Sequence, residues 1–247
     1  FREGIHFTLS GEEDMEVIGE DVGNEQALAF IESNPPRVAI LNANRDKVNG
    51  FEATQRIKQK LPEVAVILIM DNYQEEQLFM ALKSGAGACF AKDVDPEVVV
   101  YTIREVAKGN HPISEAIWKP EIASRILDAF ASFSSFGEQV NQLLARLTTR
   151  EAEILHQIAD GNNKEQIAAT LGVNEEALSQ RLQSIHSKLV GNEQKLMLIE
   201  VAQRSLPPIS RVSFDGRPSA EYITKEEFEA FKESLQERFK SLSGDIS

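Results

Sequence analysis

Between residues 1 and about 110, short and almost wholly apolar runs alternate with stretches of helical period, an order that few architectures accept. The runs are Met15–Gly19, Arg37–Leu41, Val64–Ile69 and Ala88–Ala91; the helical stretches are Asn24–Ser33, Gly50–Lys60, Gln74–Ser84 and Asp95–Lys108. A sheet with one wet face alternates apolar and polar residues along each strand, whereas a strand covered by helices on both faces is apolar throughout. The pattern therefore predicts a small, doubly wound α/β domain on a parallel sheet.

The 247 residues leave room for a second unit. Residues 111–146 read as a connector: Pro112 and Pro120 interrupt it, and Ile122, Ile126, Leu127 and Phe130 give its helix one apolar side before the serine-rich stretch 131–135. Residues 147–206 are helical throughout, with breaks expected at Asp160–Asn163, Gly172-Val173 and Gly191-Asn192, and turns this short make a compact helical unit containing a helix-turn-helix. Residues 207–247 form an extension in which Thr224–Glu227 has capping-box spacing. That box opens an amphipathic helix with Phe228, Phe231, Leu235 and Phe239 along one side, a face that needs a partner in this chain or in another protein.

Composition narrows the class. The longest apolar run, Val64–Met70, is far below the roughly 20 residues of a membrane span. One cysteine, Cys89, forbids an internal disulfide, and the four histidines lack zinc-ligand spacing, so no metal is expected and a reducing cytoplasm fits. Gly85-Ala-Gly87 is too short for a phosphate-cradling loop, and His6, His111, His156 and His186 face no nucleophile pattern, so neither a cofactor nor enzyme chemistry is expected. The net charge of −13 opposes nucleic acid as a whole, but 19 acids against 11 bases lie in residues 1–110. Residues 147–205 carry eight acids and six bases, so the helical unit has no basic surplus.

Leu147-Thr148-x-Arg150-Glu151, the turn at Gly161, Ile167-Ala168, and Asn174-Glu175 opening a helix that closes on Ile185 and Lys188-Leu189 together resemble the LuxR-type helix-turn-helix of NarL/FixJ response regulators. The resemblance implies that the helix after Asn174 enters a DNA groove. Ser179, Gln180 and Gln183 would then face base edges, and Lys164, Asn174, Arg181, Ser184 and Lys188 would serve the backbone or packing. A following helix, Glu193–Arg204, would pair two copies through Leu196, Ile199 and Val201, giving a homodimer on two half-sites of double-stranded DNA.

The front domain resembles the receiver of the same regulators through Phe1–Gly4, Val17–Glu20, Gly50–Thr54, Ala81–Ala86 and Lys92-Asp93. This implies a flavodoxin-like parallel sheet of order 2-1-3-4-5. Phe1–Gly4 would lie near the start of the first helix, so the first strand and its acidic pair are expected upstream of a truncated reading frame. A segment such as Arg211–Phe214 filling the gap, or an incomplete domain, are the alternatives.

Counting back from Gly50 puts the phospho-acceptor position on Asn42, whose amide is no phosphoryl nucleophile. The hydroxyl position falls on Ile69 and the aromatic switch position on Cys89; Lys92 alone remains, and Asp46 is a poor substitute. The expectation is a DNA-binding transcriptional regulator with a receiver not switched by aspartyl phosphorylation. The competing expectation is a protein-interaction module in which both parts contact transcription machinery.

Overall fold

The computed structural model describes residues 2–205 apart from 22, 45–47, 72–73, 135 and 137. Asp46 and the extension with Phe228, Phe231, Leu235 and Phe239 lie outside the described residues. The described residues fall into two units, divided after Lys195.

Three parallel strands, β1 (Val38–Asn42), β2 (Ala65–Met70) and β3 (Ala88–Ala91), pair in the order β1-β2-β3, with Asn42 opposite Ile69 and Cys89 opposite Leu68. Each is followed by a helix: α3 (Gly50–Lys60), α4 (Glu75–Ser84) and α5 (Pro96–Ala107). Helices α1 (Arg2–Ser10) and α2 (Asn24–Ser33) precede the sheet. The helix boundaries have local causes. Asn49 accepts the Glu52 amide at 2.8 Å to cap α3, Asp95 accepts the Glu97 amide ahead of Pro96 to start α5, and Gly85 at φ 87° ends α4 in the left-handed region. Val66, Ile67, Leu68 and Met70 on β2 are all fully buried, as a central strand covered on both faces requires.

One expected strand does not form. Met15–Gly19 runs as an irregular segment, although Met15 and Val17 still pack on the apolar core while Ile18 faces solvent. The alternation of inward and outward side chains is therefore real, but a ladder needs a hydrogen-bonding neighbour at about 4.8 Å. Here a cavity of about 1320 Å³, lined by Leu9, Val17, Phe30, Ile40 and Ile103 among others, borders both this segment and β1. The acidic turn before it is fastened to α5, where Arg104 donates to Glu12 at 2.6 Å and to Asp14 at 2.7 and 2.8 Å.

A 3-10 turn (Pro112–Trp118) leads into α6 (Pro120–Phe133), which buries Ile122, Ile126 and Phe130 as its periodicity predicts and packs along both α4 and α8. The short α7 (Glu138–Asn141) follows, then α8 (Thr149–Ala159), α9 (Lys164–Leu171) and α10 (Glu175–Ser205). The expected break at Gly191-Asn192 is absent: α10 is continuous, and the separate helix expected from Glu193 is its extension. The cause is a tertiary contact. Asn192 is fully buried, its Oδ1 accepting the Ala145 amide at 2.7 Å and its Nδ2 donating to the Ala145 carbonyl at 2.9 Å. An asparagine held this way cannot turn its amide back onto its own backbone, the interaction that makes the residue a helix breaker. The helix then carries only the cost of Gly191, about 1 kcal/mol.

Candidate functional site

Of the receiver positions expected from the sequence, Asn42 ends β1, Ile69 stands one residue before the end of β2, Lys92 follows β3, and Cys89 sits near the start of β3. The Asn42 carbonyl accepts from Asn24 Nδ2 at 3.1 Å and the Asn42 side-chain Oδ1 accepts the Asn44 amide at 3.0 Å. Gly50 is forced at the head of α3, since a Cβ there would stand 2.4 Å from the Asn42 carbonyl oxygen. Ile69 and Cys89 are buried in the sheet. Lys92, just past β3, is ion-paired with Asp71, just past β2. Asn44 Nδ2 donates to Asp71 at 3.3 Å, and Gln77 Nε2 donates to Asn44 Oδ1 at 3.1 Å.

Asp71 was not among the sequence candidates, although an acid directly after the apolar run Val64–Met70 is the signal that marks it. It gives Lys92 a carboxylate partner within the chain, with both side chains about half exposed. Asn42 is neutral, Ile69 has no hydroxyl, and among the described residues no three His, Cys, Asp or Glu side chains are grouped to hold a metal ion.

The helical part is built around two capping boxes. Thr148 and Glu151 cap α8 reciprocally, as Asn163 and Gln166 cap α9, and Gly172 at φ 65° ends α9. Asn174 Oδ1 accepts the Ala177 amide at 2.8 Å, which makes it the cap of α10. Ile154, Ile158, Ile167, Leu171, Leu178, Leu182 and Ile185, the apolar set read from the sequence, are all buried.

Of the residues expected at DNA, Gln180 and Arg181 are exposed and Ser179 and Gln183 half-buried. Ser184 and Lys188 are committed within the protein: Ser184 Oγ donates to Glu151 Oε1 at 2.8 Å and Lys188 Nζ to Glu151 Oε2 at 2.6 Å. Glu151 is buried; burial pushes its carboxyl pKa up, but Lys188, the Thr148 amide and Ser184 outweigh that and leave it below the usual range. Lys164 lies 3.3 Å from Glu175 and over the Trp118 ring at 5.9 Å. Farther along α10, Leu196 and Ile199 are half-buried and Val201 is exposed.

Successive positions at 3.6 residues per turn place Ser179, Gln183, His186, Val190 and Glu193 on one stripe of α10. Its later part rests on the α/β domain. His186 Nε2 lies 3.0 Å from the Leu82 carbonyl, Glu193 pairs with Lys83 at 3.0 Å, and Val190 sits where a Cβ on Gly85 would come within 3.0 Å. His111 stands edge-on to His186 at 5.7 Å between ring centroids. Burial drives the His186 pKa down to about 4; the His111 and Lys58 charges push the same way, against the pull of the Leu82 carbonyl.

Two family patterns match the chain in this order: the response regulator receiver domain over residues 1–104 and the LuxR family of bacterial regulatory proteins over residues 145–199. The chain belongs to the response regulators of the NarL and LuxR type. This response regulator is 27% identical over 214 residues to the uncharacterized transcriptional regulatory protein YhcZ of Bacillus subtilis, covering 87% of this chain and 91% of YhcZ. It is 26% identical over 211 residues to the transcriptional regulatory protein DegU of Brevibacillus brevis, covering 81% of this chain and 87% of DegU. To the response regulator protein VraR of Staphylococcus aureus it is 25% identical over 205 residues, covering 83% of this chain and 92% of VraR. Among solved structures it is similar to the signal receiver domain of a NarL response regulator from Mycobacterium tuberculosis, with a TM-score of 0.43 and 27% identity over 44% of this chain and 88% of that one. It thus joins a receiver to a LuxR-type DNA-binding domain, the organisation of transcriptional regulators. Among the described residues no helix is long and apolar enough to cross a membrane.

Proposed function

We propose that this response regulator binds double-stranded DNA through α10 and that its receiver is not switched by aspartyl phosphorylation. The observation that carries the second part is the pairing of Lys92 with Asp71 beside a neutral Asn42. In-line attack on a phosphoryl donor needs a carboxylate nucleophile, and Asn42 supplies an amide already engaged with the Asn44 amide. No catalytic role follows from this site. The domain divisions read from the sequence, 1–110, 111–146, 147–206 and 207–247, organise the same proposal, which places the protein in the cytoplasm with its DNA.

For the DNA contact, Ser179, Gln180 and Gln183 are the base-reading candidates and Arg181 is the exposed cation beside them. Lys188 and Ser184 serve the fold, since Glu151 holds both. A homodimer through Leu196, Ile199 and Val201 would add a second half-site and offset the weak charge of each copy. One observation favours the competing protein-contact reading: Lys164 and Lys188 are paired with acids, in a helical unit that has no basic surplus. In that reading Phe228, Phe231, Leu235 and Phe239 of the extension anchor a protein partner.

The phosphorylation part is tested by incubating the full chain with acetyl phosphate and Mg²⁺ and weighing the intact protein. The expected result is no mass gain and no acid-labile phosphate. A stoichiometric phosphoaspartate overturns the proposal.

A further inference from the structure

The seat of α10 on the receiver contains two histidines that neither the DNA reading nor the receiver chemistry uses. His186 is buried on α10 with its Nε2 at 3.0 Å from the Leu82 carbonyl, so the neutral ring donates there. His111 faces it from the connector, and its own Nδ1 is buried with no hydrogen-bond partner. Lys58 of α3 faces the same pair; its ammonium is held at 3.0 Å by the Pro62 carbonyl and at 2.7 Å by the Val64 carbonyl. From α4 comes Lys83, and the acids nearby are occupied: Glu193 pairs with Lys83, and Glu63 acts on Lys58. A proton added to His186 would therefore create a buried imidazolium facing a lysine and a second imidazole, with no free carboxylate among the described residues around it to answer it.

We propose that the contact between α10 and the receiver is a proton-operated latch: neutral His186, seated on the Leu82 carbonyl beside His111 and Lys58, keeps the helical domain docked, and protonated His186 releases it. The latch is a property of this seat and stands whether or not α10 reads DNA. The linkage sign follows from the geometry. A histidine whose docked pKa is about 4 and whose released pKa is the ordinary 6.5 stabilises docking fully above pH 6.5, and loses that contribution as pH falls from 6.5 towards 4. Between pH 7.5 and 5.5 the docked-to-released equilibrium shifts by about tenfold towards release.

Trp118, the single tryptophan, lies on the connector against the helical part: its ring lies under Lys164 of α9 and its buried indole N–H has no acceptor, so release of that part exposes it. Hydrogen exchange of that one indole proton in the full chain, referenced to free tryptophan at each pH, follows even rare release. The expected result is a protection factor about tenfold lower at pH 5.5 than at 7.5 in the wild type. In His186→Gln, whose amide still donates to Leu82 but does not titrate, protection is expected not to change. An equal pH dependence in both proteins, or none in the wild type, overturns the latch. A ring titration of His186 in the wild type decides independently of whether the variant folds: a midpoint near 4 supports the latch, and a midpoint near 6.5 in the docked protein contradicts it.

Discussion

Glu151→Ala is expected to lower the stability of the helical domain by about 3 kcal/mol, the low end of the cost of removing one partner from a buried ion pair. Glu151 serves three structures at once. Its Oε2 accepts the Thr148 amide at 2.7 Å to close the capping box of α8, while the same carboxylate takes the Ser184 hydroxyl and the Lys188 ammonium of α10. The side chain is 3% exposed and that of Lys188 is 25% exposed, so Lys188 regains some water when its partner is lost, which keeps the cost near the lower bound. Chemical denaturation of the full chain measures it. Adding Lys188→Met to Glu151→Ala should recover part of the loss, because the stranded ammonium is gone; no recovery would show that the cap alone carries the effect. The pair also sets an acid limit. A carboxyl with a lowered folded pKa stabilises the fold above its ordinary value of 4.5 and loses that contribution as pH falls through the folded pKa.

Replacing Gln180 and Gln183 by Ala is expected to relax base preference, with about 1–3 kcal/mol of discrimination lost for each bidentate contact removed. Gln180 is exposed and Gln183 half-buried one turn before His186, so neither change should disturb the core of Leu178, Leu182, Ile185 and Leu189. Competition binding against duplexes varied one base pair at a time separates the two residues. Arg181→Ala should behave differently, weakening all duplexes alike and flattening the salt dependence. An unaltered base preference in both glutamine variants would remove them from the interface.

The sheet and its helices are legible in the sequence because burial on both faces leaves the central strand β2 apolar throughout, and its neighbours β1 and β3 carry only the terminal Asn42 as a polar residue. Asn24–Ser33, Gly50–Lys60 and Ala88–Ala91 have the expected limits. Met15–Gly19 misleads because its residues carry the strand pattern, while a strand also requires a neighbour that no local pattern reveals. Gly191-Asn192 misleads for a related reason: the partner that suppresses the break is Ala145, 47 residues away. The same limit applies to the site. Counting back from Gly50 picks out Asn42, and the resemblance to receivers picks out Ile69, Cys89 and Lys92, but Lys92's partner Asp71, Lys188's partner Glu151 and the seat of His186 are juxtapositions made by the fold. Lys188 resembles a phosphate contact in the sequence because a lysine on a helix end carries no mark of the buried acid beside it.

Selection of bound sequences from a random duplex pool at low salt, with and without prior incubation with acetyl phosphate, tests the central claim most directly. The expected result is one enriched sequence from the untreated full chain, bound with the same affinity after phosphodonor treatment. No enrichment at low salt would contradict the assignment of α10 to DNA, and enrichment that appears only after phosphodonor treatment would contradict a receiver that phosphate does not switch.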